Sequence, residues 1–130
     1  MSDTNKEISS KIAVIGDIGV GKTCLISRFT TGLFDIENVA TLGANYSRKQ
    51  IEYKDLNKTL VLDIWDTSGS EKFKKHTQFF YKDASMIILV YDITKKESFD
   101  YLKIDFLYIL KLCLIYQLHN HLLMQFLYSF

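Results

Sequence analysis

The stretch Gly16-Asp17-Ile18-Gly19-Val20-Gly21-Lys22-Thr23 satisfies the pattern GxxxxGK[ST] in full, and no other feature of the chain constrains its fold as much. Each fixed position answers a physical need. Glycines let the main chain wrap closely around an anionic group and turn several N–H groups inward. A helix that starts directly afterwards adds its N-terminal donors and dipole. Lys22 is placed to reach the β- and γ-phosphates of a polyphosphate, and the Thr23 hydroxyl is a hard oxygen ligand for Mg²⁺. The flanks agree with this reading. Ile12 to Ile15 is an apolar run that suits a buried strand. Leu25, Ile26 and Phe29 fall near one helical face, which predicts a helix from about Gly21, with Gly32 as its stop. A chance match of the four fixed positions is the competing reading, and the strand before and helix after disfavour it. Residues 16 to 24 are therefore the candidate nucleotide loop. Cys24 in it reads as a small, buried apolar side chain rather than a reactive thiol.

A loop of this kind needs a second carboxylate on the metal side. Tyr46 to Tyr53 and Thr59 to Trp65 read as strands, joined through the turn cluster Asp55 to Lys58 into a hairpin. The second strand ends at Asp66, which opens the loop Asp66-Thr67-Ser68-Gly69-Ser70. Asp66 suits a carboxylate that holds Mg²⁺ through water. A loop-capping aspartate is the plainer alternative. Gly69 offers a backbone N–H without a crowding side chain, as a γ-phosphate sensor requires. Glu71 to Tyr81 predicts a basic, weakly amphipathic helix. Met86 to Tyr91 is an almost unbroken apolar strand of the kind covered on both faces. Asp92 to Lys96 is a loop, and a helix opens at Glu97. The expected architecture is α/β around a mixed sheet.

Composition sets the outer limits. The chain has 130 residues, 48% of them apolar, enough for one small domain and its core. With 16 basic and 15 acidic side chains, the net charge of +1 gives nucleic acid no electrostatic footing. The two cysteines, Cys24 and Cys113, make neither a disulfide scaffold nor a four-ligand zinc site. Residues 1–10 are polar, lack the apolar core of a signal peptide, and are expected as a flexible arm in a reducing, intracellular setting. Residues 103–130 differ from the rest. Only Lys103, Asp105 and Lys111 carry formal charge there, among many Leu, Ile, Phe and Tyr.

The motifs together resemble the Ras-like small GTPases, and the Rab branch most closely. They are GDIGVGKT at 16–23, TLGANY at 41–46, WDTSGSEKF at 65–73 and FFYKDASMIILVYDITKKESF at 80–99. The resemblance covers about residues 9–102 and implies a nucleotide-binding G domain of the P-loop NTPase class, incomplete on its C-terminal side. It implies GTP and GDP as bound nucleotides, Mg²⁺ as cofactor, hydrolysis of GTP to GDP, and a role in vesicle trafficking, in the cytoplasm and at endomembranes. By the same resemblance Phe34 packs on the guanine base, and Thr41 joins Thr23 and Asp66 on Mg²⁺ when GTP is bound. Lys22, Thr41, Gly69 and Ser70 occupy the catalytic positions. Residues 66–82 form the second switch. Effectors, an exchange factor and a GTPase-activating protein meet residues 41–81, with Tyr46, Trp65 and Phe80 or Tyr81 as an aromatic surface. Plain core packing is the alternative for each of those rings.

Several positions depart from the family pattern. Ser70 stands where the family has a glutamine that orients the attacking water. Ile18 stands where glycine or serine is usual, and a β-branched side chain there obstructs the water or an arginine finger. Slow hydrolysis is the expectation. The NKxD loop that reads guanine has no counterpart, Asn120-His121 being followed by leucines, so guanine specificity rests on the resemblance. A C-terminal prenylation cysteine is also lacking, which leaves membrane association open. For residues 103–130 three readings compete: a truncated or misjoined product, which is the one preferred, a rebuilt helical tail over the exposed sheet edge, or a membrane-associated segment shorter than the usual span of about 18 residues. The alternative function is a non-enzymatic G-domain fragment, inert or acting as an interaction module. A P-loop ATPase is a third, disfavoured by TLGANY and WDTSGSEKF together.

Overall fold

A computed structural model of the chain describes residues 6–34, 40–70, 79–116 and 123–126. Five strands lie in one sheet in the order β2-β3-β1-β4-β5. They are β1 (Lys6–Ile15), β2 (Ala44–Tyr53), β3 (Lys58–Thr67), β4 (Met86–Leu89) and β5 (Leu123–Phe126). β1 runs parallel to β3 and β4, β4 parallel to β5, and β2 antiparallel to β3. The sheet is thus the mixed sheet of an α/β protein, as expected. The β2–β3 hairpin turns through a short 3₁₀ segment, Lys54–Leu56, and Asn57 closes it in the left-handed region at φ 47°.

Each face of the sheet has its own core. On one side Ile12, Val14, Ile64 and Val90 pack with Ile26 of α1 (Lys22–Thr31). On the other, Ala13, Ile15, Ile87 and Leu89 pack with Tyr81, Ala84 and with Leu102 and Ile109 of α2 (Lys96–Tyr116). Alternate residues of β1 therefore feed opposite cores, which accounts for its continuous apolar run at Ile12–Ile15. Helix α1 stops where expected. Gly32 is left-handed at φ 76° and its N–H donates to the Arg28 carbonyl at 3.1 Å.

Four expectations need correction. Residues 6–10 are strand rather than arm, with Lys6 paired to Lys58 and Ser10 to Leu62. A ladder of main-chain hydrogen bonds needs no apolar side chains, and among the four exposed residues at the start of β1 only Ile8 is apolar, too little for a periodic signal. β3 continues through Asp66 and Thr67, so Asp66 belongs to a strand and not to a loop. Its partner in the ladder is Val14 on one side and Asn45 on the other. β4 is shorter than Met86–Tyr91 and ends at Leu89. Finally, α2 crosses residue 103 without a break, because Leu102, Phe106 and Ile109 recur at helical spacing against the core. Of the expected helix at 71–81, residues 71–78 lie outside those described, and 79–81 are helical. Among the described residues no helix is long and apolar enough to cross a membrane.

Candidate functional site

The site gathers where β1, β3 and α1 meet. β1, an interior strand, delivers the chain to Gly16 just past its carboxyl end, and Gly16 has no room for a side chain. A Cβ there would lie 2.1 Å from the Val90 carbonyl oxygen. Gly19 and Gly21 take left-handed angles, φ 74° and 91°, which let the loop fold back over the first turn of α1. Asp17 steadies the bend by accepting the Ile18 N–H at 2.7 Å. Val20 packs partly into the α1-side core. Lys22 is buried, and its ammonium donates to the carbonyls of Gly16 at 2.8 Å and Asp17 at 2.7 Å. It is thereby suspended inside the loop's own curve. Burial pushes its pKa down from the ordinary lysine range, while the carboxylates of Asp66, Asp17 and Asp105 oppose that shift.

Thr23, at the second position of α1, donates its hydroxyl to Asp66 Oδ2 at 2.6 Å. Its oxygen also lies 2.9 Å from the Thr41 hydroxyl. Three separate segments thus bring oxygen ligands to one point. Asp66 is 2% exposed, and its other oxygen, Oδ1, is buried without a hydrogen-bond partner. A bare carboxylate oxygen in a buried place is costly and marks a spot suited to a cation. Burial drives the Asp66 pKa up, opposed by the Thr23 hydrogen bond, the Lys22 charge and Thr41. The donor set is one carboxylate and two hydroxyls, all hard oxygens, which fits Mg²⁺ with waters completing its shell. Among the described residues no group of three His, Cys, Asp or Glu could hold a metal.

The loop after β3 closes the site from the side. A Cβ on Gly69 would sit 2.3 Å from the Ile18 nitrogen and 2.6 Å from the Asp17 oxygen, so the glycine backbone lies flat on the phosphate loop. The Ser70 N–H donates to Ser68 Oγ at 3.2 Å, and the Tyr101 hydroxyl donates to the Gly69 carbonyl at 3.2 Å. The Ser68 N–H donates to the Gly43 carbonyl at 2.8 Å, which ties the segment before β2 to the segment after β3. Tyr101 and Asp105 carry no motif, and sequence reasoning passed over both. Their spacing of four on one helix was the available signal.

Most sequence-derived candidates converge. Gly16, Asp17, Lys22, Thr23, Thr41, Asp66 and Gly69 are joined by the contacts above, and Gly21 shapes the loop through its left-handed angle. Cys24 is half-buried, and Ser70 is partly exposed beside Gly69. Ile18 is 60% exposed at the loop's crest, and Phe34 is 62% exposed with no ring contact among those described. Asn120 and His121 lie outside the described residues.

The aromatic row lies on the opposite face of β3. Trp65 is 5.3 Å, centroid to centroid, from both Tyr46 and Phe80. Tyr81 turns instead into the α2-side core, which leaves Phe80 as the third ring. Asp63 ties the row down. It accepts the Tyr46 hydroxyl, Arg48 Nε at 2.8 Å and Ser9 Oγ at 2.9 Å. Hydrogen bonds from Tyr46 and Arg48 hold its pKa at about 2. Lys11 lies 5.9 Å over the Trp65 ring.

Comparison with known proteins gives a consistent picture. The family model described as Ras family matches residues 11–118, which reaches beyond residue 102 and takes in α2. Ras-related protein Rab-30 of Homo sapiens is 46% identical over 99 residues, 76% of this chain and 48% of that protein. RabC of Dictyostelium discoideum is 41% identical over 95 residues, covering 73% of this chain and 48% of its own. The Ras-like GTP-binding protein RYL2 of Yarrowia lipolytica is 40% identical over 95 residues, 73% of this chain and 44% of that protein. The chain spans about half the length of the curated relatives it matches.

Proposed function

This chain belongs to the Ras family, and from that premise we propose that it is a guanine-nucleotide switch that binds GTP and GDP with Mg²⁺ and acts in vesicle trafficking. The observation that carries the reading is the buried oxygen cluster of Thr23, Thr41 and Asp66, with Asp66 Oδ1 unpartnered. Those three residues would hold Mg²⁺. The ion would neutralise charge on the β- and γ-phosphates and orient them. Lys22 needs only to exchange two loop carbonyls for phosphate oxygens to take up the same anion. The inward N–H groups of residues 16–23 and the start of α1 supply neutral donors around it. Gly69 offers its N–H to the terminal phosphate, and Thr41 leaves the cluster when that phosphate is gone, so loop order reports the nucleotide.

Hydrolysis is slow in this reading. Ser70 has neither the reach nor the carboxamide to orient a water molecule, and Ile18 stands exposed at the crest where the water must approach. Partners bind the row Tyr46, Trp65 and Phe80, and the family relation supports endomembranes as the place of action.

A second reading is favoured by that same row. Asp63 and Lys11 fix it through contacts that do not pass through the nucleotide loop, as a non-enzymatic interaction module requires. One experiment separates the two. The chain is titrated with fluorescent GDP and GTP, with and without Mg²⁺, against unlabelled ATP. Mg²⁺-dependent binding that GTP displaces, ATP leaves intact and Lys22→Ala abolishes supports the switch. A folded chain that binds neither nucleotide yet captures partners through Trp65 supports the module.

A further inference from the structure

We propose that Tyr101 is a positioning residue for the Gly69–Ser70 peptide, and that helix α2 uses it to favour a nucleoside triphosphate over a diphosphate. The inference rests on the switch reading above.

Gly69 is caught between two elements. On one side its backbone touches Asp17 and Ile18 so closely that no Cβ fits. On the other, the Tyr101 hydroxyl donates to its carbonyl at 3.2 Å, from 32 residues away in sequence. The N–H of the same peptide unit, on Ser70, donates to Ser68 Oγ. Both polar groups of that peptide are therefore committed, and its plane is set up to the Gly69 Cα, which it shares with the Ser68–Gly69 peptide that carries the Gly69 N–H. A donor held in place before the terminal phosphate arrives loses less freedom on binding it than a free one. A diphosphate lacks the group that Gly69 addresses, so the advantage falls on the triphosphate alone.

Tyr101 is well mounted for this task. The first turn of its helix holds Ser98, a buried residue whose hydroxyl donates to the Lys95 carbonyl at 2.7 Å and the Asp92 carbonyl at 3.1 Å. The next residue, Leu102, is packed in the core. A side chain carried on a packed helix holds its partner more closely than one on a loop. At 3.2 Å the hydroxyl contact is longer than the common O–H···O bond, so its effect belongs at the modest end.

The test compares the full chain with Tyr101→Phe, which removes the hydroxyl and keeps the ring, and with Tyr101→Leu, which removes both. Affinities for GDP and for a non-hydrolysable GTP analogue are measured with Mg²⁺. Tyr101→Phe is expected to lower the triphosphate-to-diphosphate preference by about fivefold while GDP affinity moves by no more than about twofold. Tyr101→Leu is expected to match that shift and to lower thermal stability as well. An unchanged preference in Tyr101→Phe, with both nucleotides bound, overturns the inference and leaves the switch reading standing. A shift in Tyr101→Leu alone also overturns it, since packing and not the hydroxyl would then be responsible. Failure of the unsubstituted chain to bind either nucleotide overturns both.

Discussion

Thr23 gives its hydroxyl proton to Asp66 across 2.6 Å, and so fastens the first turn of α1 to the end of β3. The bond satisfies only one of the two Asp66 oxygens. The other is the point on which the chemistry and the stability of this region pull in opposite directions.

Asp66→Asn shows that conflict directly. In the folded chain burial raises the Asp66 pKa, so the folded state binds more protons than the unfolded state between the ordinary carboxyl pKa and the raised one. Stability contributed by this group therefore falls as pH rises through that window. At neutral pH the buried charge is a burden, which asparagine lifts while keeping an acceptor for Thr23. Without metal, Asp66→Asn is expected to raise the melting temperature at pH 7 by about 3–5 °C, corresponding to ~1 kcal/mol, and to abolish the Mg²⁺ dependence of nucleotide binding. Thermal melts and titrations with and without EDTA check both halves.

Gly16→Ala is expected to cost about 2–3 kcal/mol of stability. The new methyl would meet the Val90 carbonyl oxygen at 2.1 Å, and both partners are backbone just past the ends of β1 and β4. Neither can yield as a flexible side chain would. Urea unfolding is the measurement, and an unchanged midpoint would contradict the close approach.

Ser70→Gln is expected to raise single-turnover GTP hydrolysis by about tenfold or more, in keeping with what a positioned water-orienting group contributes. Ile18→Gly, made separately, is expected to raise it further and to restore access for an arginine finger. If the unsubstituted chain already hydrolyses GTP at a rate that neither change improves, the slow-switch reading fails.

Asp63 gives a cleaner electrostatic prediction. Its carboxyl is expected to titrate at about 2 by carbon-detected NMR. In Tyr46→Phe it is expected to move up toward the ordinary carboxyl range, because the Tyr46 hydrogen bond is the largest cause of the depression. The sign for stability follows: the Asp63 tie is fully present above the ordinary carboxyl pKa and is lost as pH falls through about 2. Loss of the tie should also change the emission of Trp65, 5.3 Å from the Tyr46 ring.

How much of this was legible in the residues depends on the range of each interaction. The phosphate loop announces itself because eight consecutive residues carry it, and its geometry is local. Asp66 was legible as the carboxylate at the end of an apolar strand, although its strand continues one residue beyond it. The start of β1 was not legible. Lys6 to Ser10 are held by the β3 backbone, and a single apolar side chain, Ile8, among polar ones leaves no periodic trace. The continuation of α2 had a trace in Leu102, Phe106 and Ile109, but the rise in apolar content near residue 103 masks the period. Tyr101 had none. Its hydroxyl finds a carbonyl 32 residues away, and only the packing of α2 against the sheet makes that pair neighbours.

Trp65 and Asp66 are adjacent on β3 and point to opposite faces of the sheet, one into the aromatic row and the other into the oxygen cluster. The aromatic row and the oxygen cluster are thus joined through a single peptide plane. Any tilt of that plane is felt on both faces at once, with opposite sense, as the two ends of a seesaw feel one pivot.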